Sequence, residues 1–262
     1  MNSASDTNTR IAAELLATAR LQQRRIERLP ESCRPLTDAA GYAIQQRVAA
    51  SLGAIGGWKI GASDPEATPL YAPIIASEIF PSGTTLAATE FPDALIEAEI
   101  GFRIRRDLPA RARAYDADAI AAAVELLPVF EIYSSRYLHP ADATGPEHLA
   151  DCLANRGLVF GAPAAATPPA TNAAWSIELH IDDKVERVSD ARHPVGAPLQ
   201  LVVWLANHLA AHGRGLRAGQ IVTTGALVLG PIGTQISGHW RGAGSVSVRF
   251  AASPQSQQAA SP

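Results

Sequence analysis

The chain has 262 residues, a formal net charge of -3 and a hydrophobic content of 47%. A chain of this length and composition can bury a substantial core, which excludes disorder throughout. The small net charge gives no electrostatic basis for binding nucleic acid or an anionic membrane surface. We therefore expect a folded protein whose partner is a small molecule.

Signals for secretion or membrane insertion are not predicted. The first ten residues are polar and include Asp6, unlike a signal peptide, and no apolar run approaches the roughly 18 residues of a membrane span. The two cysteines, Cys33 and Cys152, are too few for a disulfide framework or a thiolate metal site. These observations predict a cytoplasmic protein.

Hydrophobic spacing predicts helices near the N-terminus and short strands after it. The predicted helices are 9–23, 39–52, 117–127 and 198–212, and the predicted strands are 94–104, 129–133, 175–181, 220–224 and 245–250. An exposed loop is predicted at 162–174, where alanine, proline and threonine dominate. The chain is therefore an α+β protein with a helical segment (1–55), a β-rich domain (56–250) and a flexible tail (251–262).

Two predicted strands carry acidic residues that could lie together. Alternation in the run 94–102 places Glu97 and Glu99 on one face of a strand, opposite apolar residues. Glu131 lies within another, otherwise apolar strand. Either the three acids meet, or the first two line a solvated face while Glu131 pairs with Arg136 or forms a core hydrogen bond. If they meet, repulsion raises their pKa values unless a cation lies among them. Oxygen donors without cysteine or an evident histidine favour Mg²⁺ or Mn²⁺ over Zn²⁺.

Lysine is rare in this chain, because only Lys59 and Lys184 among the 22 basic residues are lysines. Lys184 lies in a polar stretch typical of a turn, whereas glycines flank Lys59 and allow close backbone approach. Lys59 therefore either meets an anionic ligand and transfers protons, or forms a structural salt bridge to one of the glutamates. Asp64 and Glu78 follow on predicted loops, where each either completes a proton relay or serves as a loop acid or cap.

Other motifs predict no chemistry. The seven histidines lack the His-x-x-x-His pair with a helical glutamate found in zinc hydrolases, and we expect them at the surface or near helix ends. Ser134 and Ser135 have no nucleophile-elbow glycines, and the glycine-rich segment 213–219 has no phosphate-loop lysine. Acyl-enzyme chemistry and nucleotide binding are therefore not predicted.

Several segments, in their order and spacing, carry a resemblance to a known family. These segments are 41–45, 57–61, 96–100, 131–136, 203–207, 216–221, 224–227 and 244–250. Over nearly its whole length the sequence resembles the hydratase/decarboxylase branch of the fumarylacetoacetate hydrolase superfamily. This branch includes the 2-keto-4-pentenoate hydratases and 4-oxalocrotonate decarboxylases.

The resemblance implies a fold, a site and a reaction. The fold is a mixed β-sandwich roll with an N-terminal helical segment, usually as a homo-oligomer. The implied Mg²⁺ or Mn²⁺ ligands are Glu97, Glu99 and Glu131. Lys59 is then the active-site lysine, which binds substrate and moves protons with Glu78, and Thr224 lines the substrate pocket. The implied substrate is a small 2-oxo acid or its 2-hydroxydienoate form, which takes up water to give a 4-hydroxy-2-oxo acid in the catabolism of aromatic-derived compounds.

Three loops depart from the pattern of the hydratases. The loop at 62–77 is shorter, the segment 151–156 replaces the family's Asp-Asn-Ala-Ser, and the segment 226–231 contains two extra residues. Decarboxylation of a 2-oxo-3-enedioate through the same metal-stabilised enolate is therefore the first alternative. Hydrolysis of an acylpyruvate comes third, since no His-Glu dyad is evident. A non-catalytic binding protein with the same fold is the remaining alternative.

Overall fold

Residues 3–164 and 174–252 are described by a computed structural model, in which they form five α-helices and two mixed β-sheets. The helices are α1 (Ser3–Leu21), α2 (Asp38–Leu52), α3 (Ala117–Ala121), α4 (Gly145–Ala150) and α5 (Leu199–Ala211). The strands are β1 (Ile55–Gly61), β2 (Leu70–Ile75), β3 (Ile79–Pro81), β4 (Thr84–Ala87), β5 (Leu95–Ile104), β6 (Val124–Tyr133), β7 (Asn155–Phe160), β8 (Trp175–Ile181), β9 (Lys184–Ala191), β10 (Ile221–Pro231), β11 (Gln235–Trp240) and β12 (Gly244–Ala251). Mixed sheets with N-terminal helices confirm the predicted α+β class.

The larger sheet has seven strands in the order β2-β1-β10-β5-β6-β7-β3, and the smaller has five in the order β4-β12-β11-β8-β9. Three neighbouring pairs are parallel, namely β1 with β10, β3 with β7, and β4 with β12. The main core includes residues from both sheets and from α5. On β5 it takes Ile96, Ala98 and Ile100, each fully buried. Because side chains alternate along a strand, the residues between them face away from this core.

The N-terminal helices build a second apolar cluster. Helix α1 contributes Leu16 and helix α2 contributes Ile44, and they share the cluster with Ala72 on β2 and with Tyr137 after β6. The side chain of Thr37 caps α2 by accepting a hydrogen bond from the Ala40 amide.

Among the helices that the structure describes, none combines the length and the hydrophobicity that a membrane span requires.

One predicted helix is largely wrong. The segment 117–127 is helical only as far as Ala121, and strand β6 begins at Val124. Val124 pairs with Ile104, so the ten residues of β6 match all ten of β5, and Pro128 further along could not continue a helix. Strand pairing therefore overrides the local helical spacing.

Two predicted segments lie partly outside the described residues. These are residues 165–173 of the predicted loop 162–174 and residues 253–262 of the predicted tail.

Candidate active site

The central strands of the larger sheet bring the three predicted glutamates together. Glu97 on β5 is the register partner of Glu131 on β6, and Glu99 lies two residues further along the same face. One carboxylate oxygen from each of the three residues lies within 4.8 Å of those from the other two. The structure thus selects the interpretation in which the three acids meet, and Arg136 pairs with Asp151 instead.

Lys59 supplies a cation to this cluster. Strand β1 pairs with β10 at Lys59 and Thr223, so both residues lie beside the glutamates of β5. The ammonium Nζ lies 2.6 Å from Glu131 Oε1 and 3.8 Å from Glu97 Oε2, and it donates to the carbonyl of Leu153 at 3.1 Å. Burial alone would lower the pKa of Lys59, but attraction by the glutamates, Glu131 foremost, raises it above its ordinary value. Lys59 is therefore charged at neutral pH, and its contact with Glu131 is the salt bridge that the sequence left open as one alternative.

Burial and mutual repulsion disfavour the ionised forms of two glutamates. Burial raises the pKa of Glu131 to about 7, although Lys59 acts in the opposite direction. Burial, followed by repulsion from Glu131 and Glu97, raises the pKa of Glu99 well above its ordinary value. The rise in pKa that is expected for three neighbouring acids is thus present, and the positive charge of Lys59 does not cancel it.

Neighbouring donors hold one oxygen of each buried glutamate and leave the other without a partner. Glu99 Oε2 accepts hydrogen bonds from the hydroxyl of Thr223 and from the amide of Gly225. Glu131 Oε1 accepts from Asn155 Nδ2 at 3.1 Å as well as from Lys59. Within the described part of the chain, the second oxygens, Glu99 Oε1 and Glu131 Oε2, are buried without a hydrogen-bond partner.

The donor set fits a hard divalent cation. Three carboxylates offer oxygen atoms close to one another, and two of these residues have an unpaired, desolvated oxygen, which is costly unless a ligand satisfies it. Mg²⁺ and Mn²⁺ prefer carboxylate oxygen and water, and Mg²⁺ keeps several waters when one or two carboxylates bind it. Glu97 is the most exposed of the three, which leaves one side of the cluster open. The residues therefore fit the predicted metal.

Glu78 lies in a separate ion-pair network. Its carboxylate binds the guanidinium groups of Arg20 and Arg156. In the described structure no hydrogen bond or ion pair joins Glu78 to Lys59. Arg20 also donates to the main-chain carbonyl of Asn155, whose side chain holds Glu131, so the network reaches the cluster through one residue. Asp64 accepts hydrogen bonds from the main-chain amides of Glu66 and Ala67. These are the contacts of an acid that stabilises a loop, which is the second of the two roles considered for Asp64.

Thr224 and its neighbour Thr223 have different surroundings. The hydroxyl of Thr224 is fully buried and donates to the carbonyl of Ile100 at 2.7 Å. The hydroxyl of Thr223 instead binds the Glu99 carboxylate. The structure therefore directs the Thr224 hydroxyl away from the carboxylates and places Thr223 against them.

Sequence reasoning missed three residues around the cluster. Thr223 and Asn155 bind the glutamates directly. Asn155 lies in the divergent segment 151–156 and Thr223 precedes the segment 224–227, but neither segment by itself indicates a contact with the glutamates. The sequence predicts His193 at the surface or near a helix end, but the residue is only 3% exposed and its side chain binds the main-chain carbonyl of Thr224. It lies between β9 and α5, where sequence periodicity gives no indication of burial.

The three segments that diverge from the hydratases have different structures. In the segment 151–156, residues Cys152, Leu153 and Ala154 all have positive φ angles near 50–60°, and the Leu153 carbonyl faces Lys59. The segment 226–231 lies within β10. There the register shifts once between Thr223 and Ala226 and again between Ala226 and Val228. Each shift adds one residue on β10 relative to β5, which makes two bulges; the first lies before residue 226 and the second within 226–231. The segment 62–77 is not a single loop, because it contains β2 (Leu70–Ile75); residues 62–69 form the connection before this strand and, with α5, line an open cavity of about 730 Å³.

Fold and site together define a β-roll protein with a buried carboxylate–lysine centre. The family model for the fumarylacetoacetate (FAA) hydrolase C-terminal domain matches residues 45–250. The chain therefore belongs to the fumarylacetoacetate hydrolase family, as the resemblance in the sequence predicted.

Relatives that are similar in sequence include 2-keto-4-pentenoate hydratases and a 4-oxalocrotonate decarboxylase. The chain is 30% identical over 198 residues to 2-keto-4-pentenoate hydratase 2 of Dechloromonas aromatica, covering 74% of this chain and 72% of that protein. It is 27% identical to the 4-oxalocrotonate decarboxylase of Pseudomonas putida, covering 91% and 95%. The solved 4-oxalocrotonate decarboxylase of Pseudomonas putida G7, a complex with magnesium and adipate, superposes with a TM-score of 0.79 at 23% identity over 94% of this chain and 98% of that one. The comparisons place the chain among the lyases of this family.

Proposed function

We propose that the protein is a metal-dependent hydro-lyase that adds water to a 2-hydroxydienoate, or to its 2-oxo-alkenoate tautomer, and releases a 4-hydroxy-2-oxo acid. The observation that carries the proposal is the cluster of Glu97, Glu99 and Glu131, in which two oxygens are buried without a partner. A divalent cation bound there, Mg²⁺ or Mn²⁺, would supply Lewis-acid chemistry to a 2-oxo acid. The names of the hydratase relatives support this substrate class.

Lys59 is the proposed proton donor and a substrate-binding residue. Its ammonium is charged at neutral pH, lies against the carboxylates and can attract the anionic end of a 2-oxo acid. In the first step the proton of the dienol hydroxyl moves to C5, which gives the conjugated keto tautomer. One water then adds across the C3–C4 double bond, with its hydroxyl on C4 and its proton on C3. A positioned donor for such protons accelerates a reaction by roughly 10²–10⁴-fold. We propose Glu78 as the second proton-transferring group. We also propose that the main chain of β10 at Thr224 forms part of the wall of the substrate pocket.

Decarboxylation of a 2-oxo-3-enedioate is the second candidate. The similarity to 4-oxalocrotonate decarboxylases favours it, because both the sequence and the fold comparisons include such a protein. The two reactions make different products, so they are separated by following loss of the dienol absorbance beside CO₂ release in a pH-stat. We also propose that the protein is cytoplasmic and forms a homo-oligomer. Light scattering after size exclusion measures the number of subunits.

The deciding experiment is calorimetric titration of the metal-free protein with Mg²⁺ and Mn²⁺, with and without oxalate as a mimic of a 2-oxo acid. We expect metal-dependent oxalate binding in the parent protein and none in the Glu97→Gln/Glu99→Gln double variant. The matched control is Asp183→Asn/Glu186→Gln, which changes two exposed acids on the β8–β9 hairpin. Absence of metal binding in the parent would refute the proposal and favour a non-catalytic binding protein.

A further inference from the structure

His193 is a buried histidine whose hydrogen bonds fix its protonation. It lies between β9 and α5 and is only 3% exposed. Its Nδ1 accepts the main-chain amide of Val195 at 3.3 Å, so the ring proton of the neutral form lies on Nε2. Nε2 therefore donates to the carbonyl of Thr224 at 2.7 Å. Burial lowers the pKa of His193, in agreement with a neutral ring that acts as a hydrogen-bond donor.

The carbonyl that His193 binds belongs to the same peptide group as the amide that binds Glu99. The Thr224 carbonyl and the Gly225 amide are the two ends of one planar unit, and this amide donates to Glu99 Oε2 at 2.7 Å. A peptide that accepts a hydrogen bond at its oxygen becomes a stronger donor at its nitrogen. His193 and Glu99 are thus connected through a single rigid group.

Strand pairing does not hold this peptide in place. Thr224 and Gly225 fall in the first bulge of β10, between the registered pairs Thr223–Gly101 and Ala226–Glu99. Gly225 has a φ of +106°, a conformation that glycine adopts readily and other residues do not. A bulged peptide beside a flexible glycine can rotate, and the His193 bond restrains that rotation.

We propose that His193 is a positioning residue for Glu99, acting through the Thr224–Gly225 peptide. By orienting this peptide it fixes Glu99 Oε2, and the unpaired Oε1 is thereby directed to where a cation would bind. The inference rests on the proposed metal site, because positioning of Glu99 matters for function only if that carboxylate binds a metal. Loss of a residue that orients a metal ligand typically weakens metal binding by 10–100-fold. Since His193 acts through one further group, we expect the lower end of this range, about tenfold.

The first test is NMR on the metal-free protein with ¹³C-carbonyl threonine and ¹⁵N-glycine. The sequence contains two Thr-Gly pairs, at 144–145 and 224–225, so this labelling selects the Gly225 amide and provides Gly145 as an internal control. In His193→Ala we expect the Gly225 amide to shift upfield and to exchange faster. In a second sample, labelled with ¹³C at the side-chain carboxylate of glutamate, we expect the Glu99 signal to move. Both changes should be largely reversed in His193→Gln, whose side-chain amide can also donate to the carbonyl. Gly145 should not change.

The second test is calorimetric titration with Mg²⁺ of the parent and both variants, beside His239→Ala, which removes an exposed histidine. We expect about tenfold weaker binding for His193→Ala, near-parental binding for His193→Gln, and no change for His239→Ala. An unchanged Gly225 amide or Glu99 signal in His193→Ala would overturn the inference, as would unchanged metal affinity beside altered signals. If the parent binds no metal, the proposed function fails, and the metal-free NMR signals still decide whether His193 positions Glu99.

Discussion

Replacement of Lys59 by methionine tests the charge balance of the site, because it removes the ammonium and keeps much of the side-chain volume. At an effective dielectric constant of about 20, attraction over the 2.6 Å to Glu131 is about 6 kcal/mol, and over the 3.8 Å to Glu97 it is about 4 kcal/mol. The cost of desolvating the ammonium offsets much of this attraction. Breaking a buried pair from one side costs about 3–5 kcal/mol net, and we expect this loss in the free energy of unfolding at pH 8.

The assay is urea unfolding of metal-free Lys59→Met at pH 8, with Lys184→Met as the matched control. Lys184 is exposed at the start of β9, and its removal should change stability by less than about 0.5 kcal/mol. Saturating Mg²⁺ or Mn²⁺ should restore most of the stability of Lys59→Met by replacing the lost charge, while turnover stays reduced by roughly 10²-fold or more. Equal stability of the two variants without metal at pH 8 would refute the electrostatic account of Lys59.

Three further predictions concern the residues around the cluster. The folded-state pKa of Glu131, about 7, lies above its ordinary 4.5, so the folded protein keeps a proton that the unfolded chain releases. The stability of the metal-free protein should therefore fall between about pH 4.5 and 7 by on the order of 3 kcal/mol, measured by urea unfolding across pH; a rise would contradict it. Asn155→Ala removes the amide donor to Glu131 and should weaken Mg²⁺ binding about tenfold by calorimetry, whereas unchanged affinity would show that this bond is dispensable. Glu78→Gln should lower kcat by roughly 10²-fold or more if Glu78 transfers protons; a loss of stability with normal kcat would show that its ion pairs with Arg20 and Arg156 are its whole role.

The cluster could be predicted from sequence because its signals are local. Period-two alternation places Glu97 and Glu99 on one face, and an isolated acid in an otherwise apolar strand marks Glu131 as a candidate. The rarity of lysine in the chain marks Lys59 as another. Spacing alone could not bring these residues together, because β1 reaches β5 only through β10, which comes more than a hundred residues later in the chain. The resemblance to a family supplied that connection.

The residues that sequence reasoning missed depend on strand register and on irregular backbone. Thr223 pairs with Gly101 and so lies on the same face as Glu99, whereas the hydroxyl of the next residue, Thr224, binds Ile100; two adjacent threonines cannot be told apart without the register of β10 against β5. His193 is fixed by a segment without regular structure, and its contact lies 31 residues further along the chain. The helix predicted at 117–127 failed for the converse reason, since pairing with β5 outweighed local spacing.

The charges of the site explain why a lysine and a divalent cation can share it. Three carboxylates face one ammonium, and the remaining negative charge is relieved either by protons or by a bound ion. The raised pKa values of Glu99 and Glu131 mean that protons do this in the metal-free protein. A divalent cation must displace those protons, so its affinity should rise with pH as the glutamates ionise. Lys59 holds one oxygen of Glu131 and leaves the other unpaired, and Thr223 and Gly225 do the same for Glu99. The same contacts that stabilise the carboxylates thus leave free the oxygens that a metal needs.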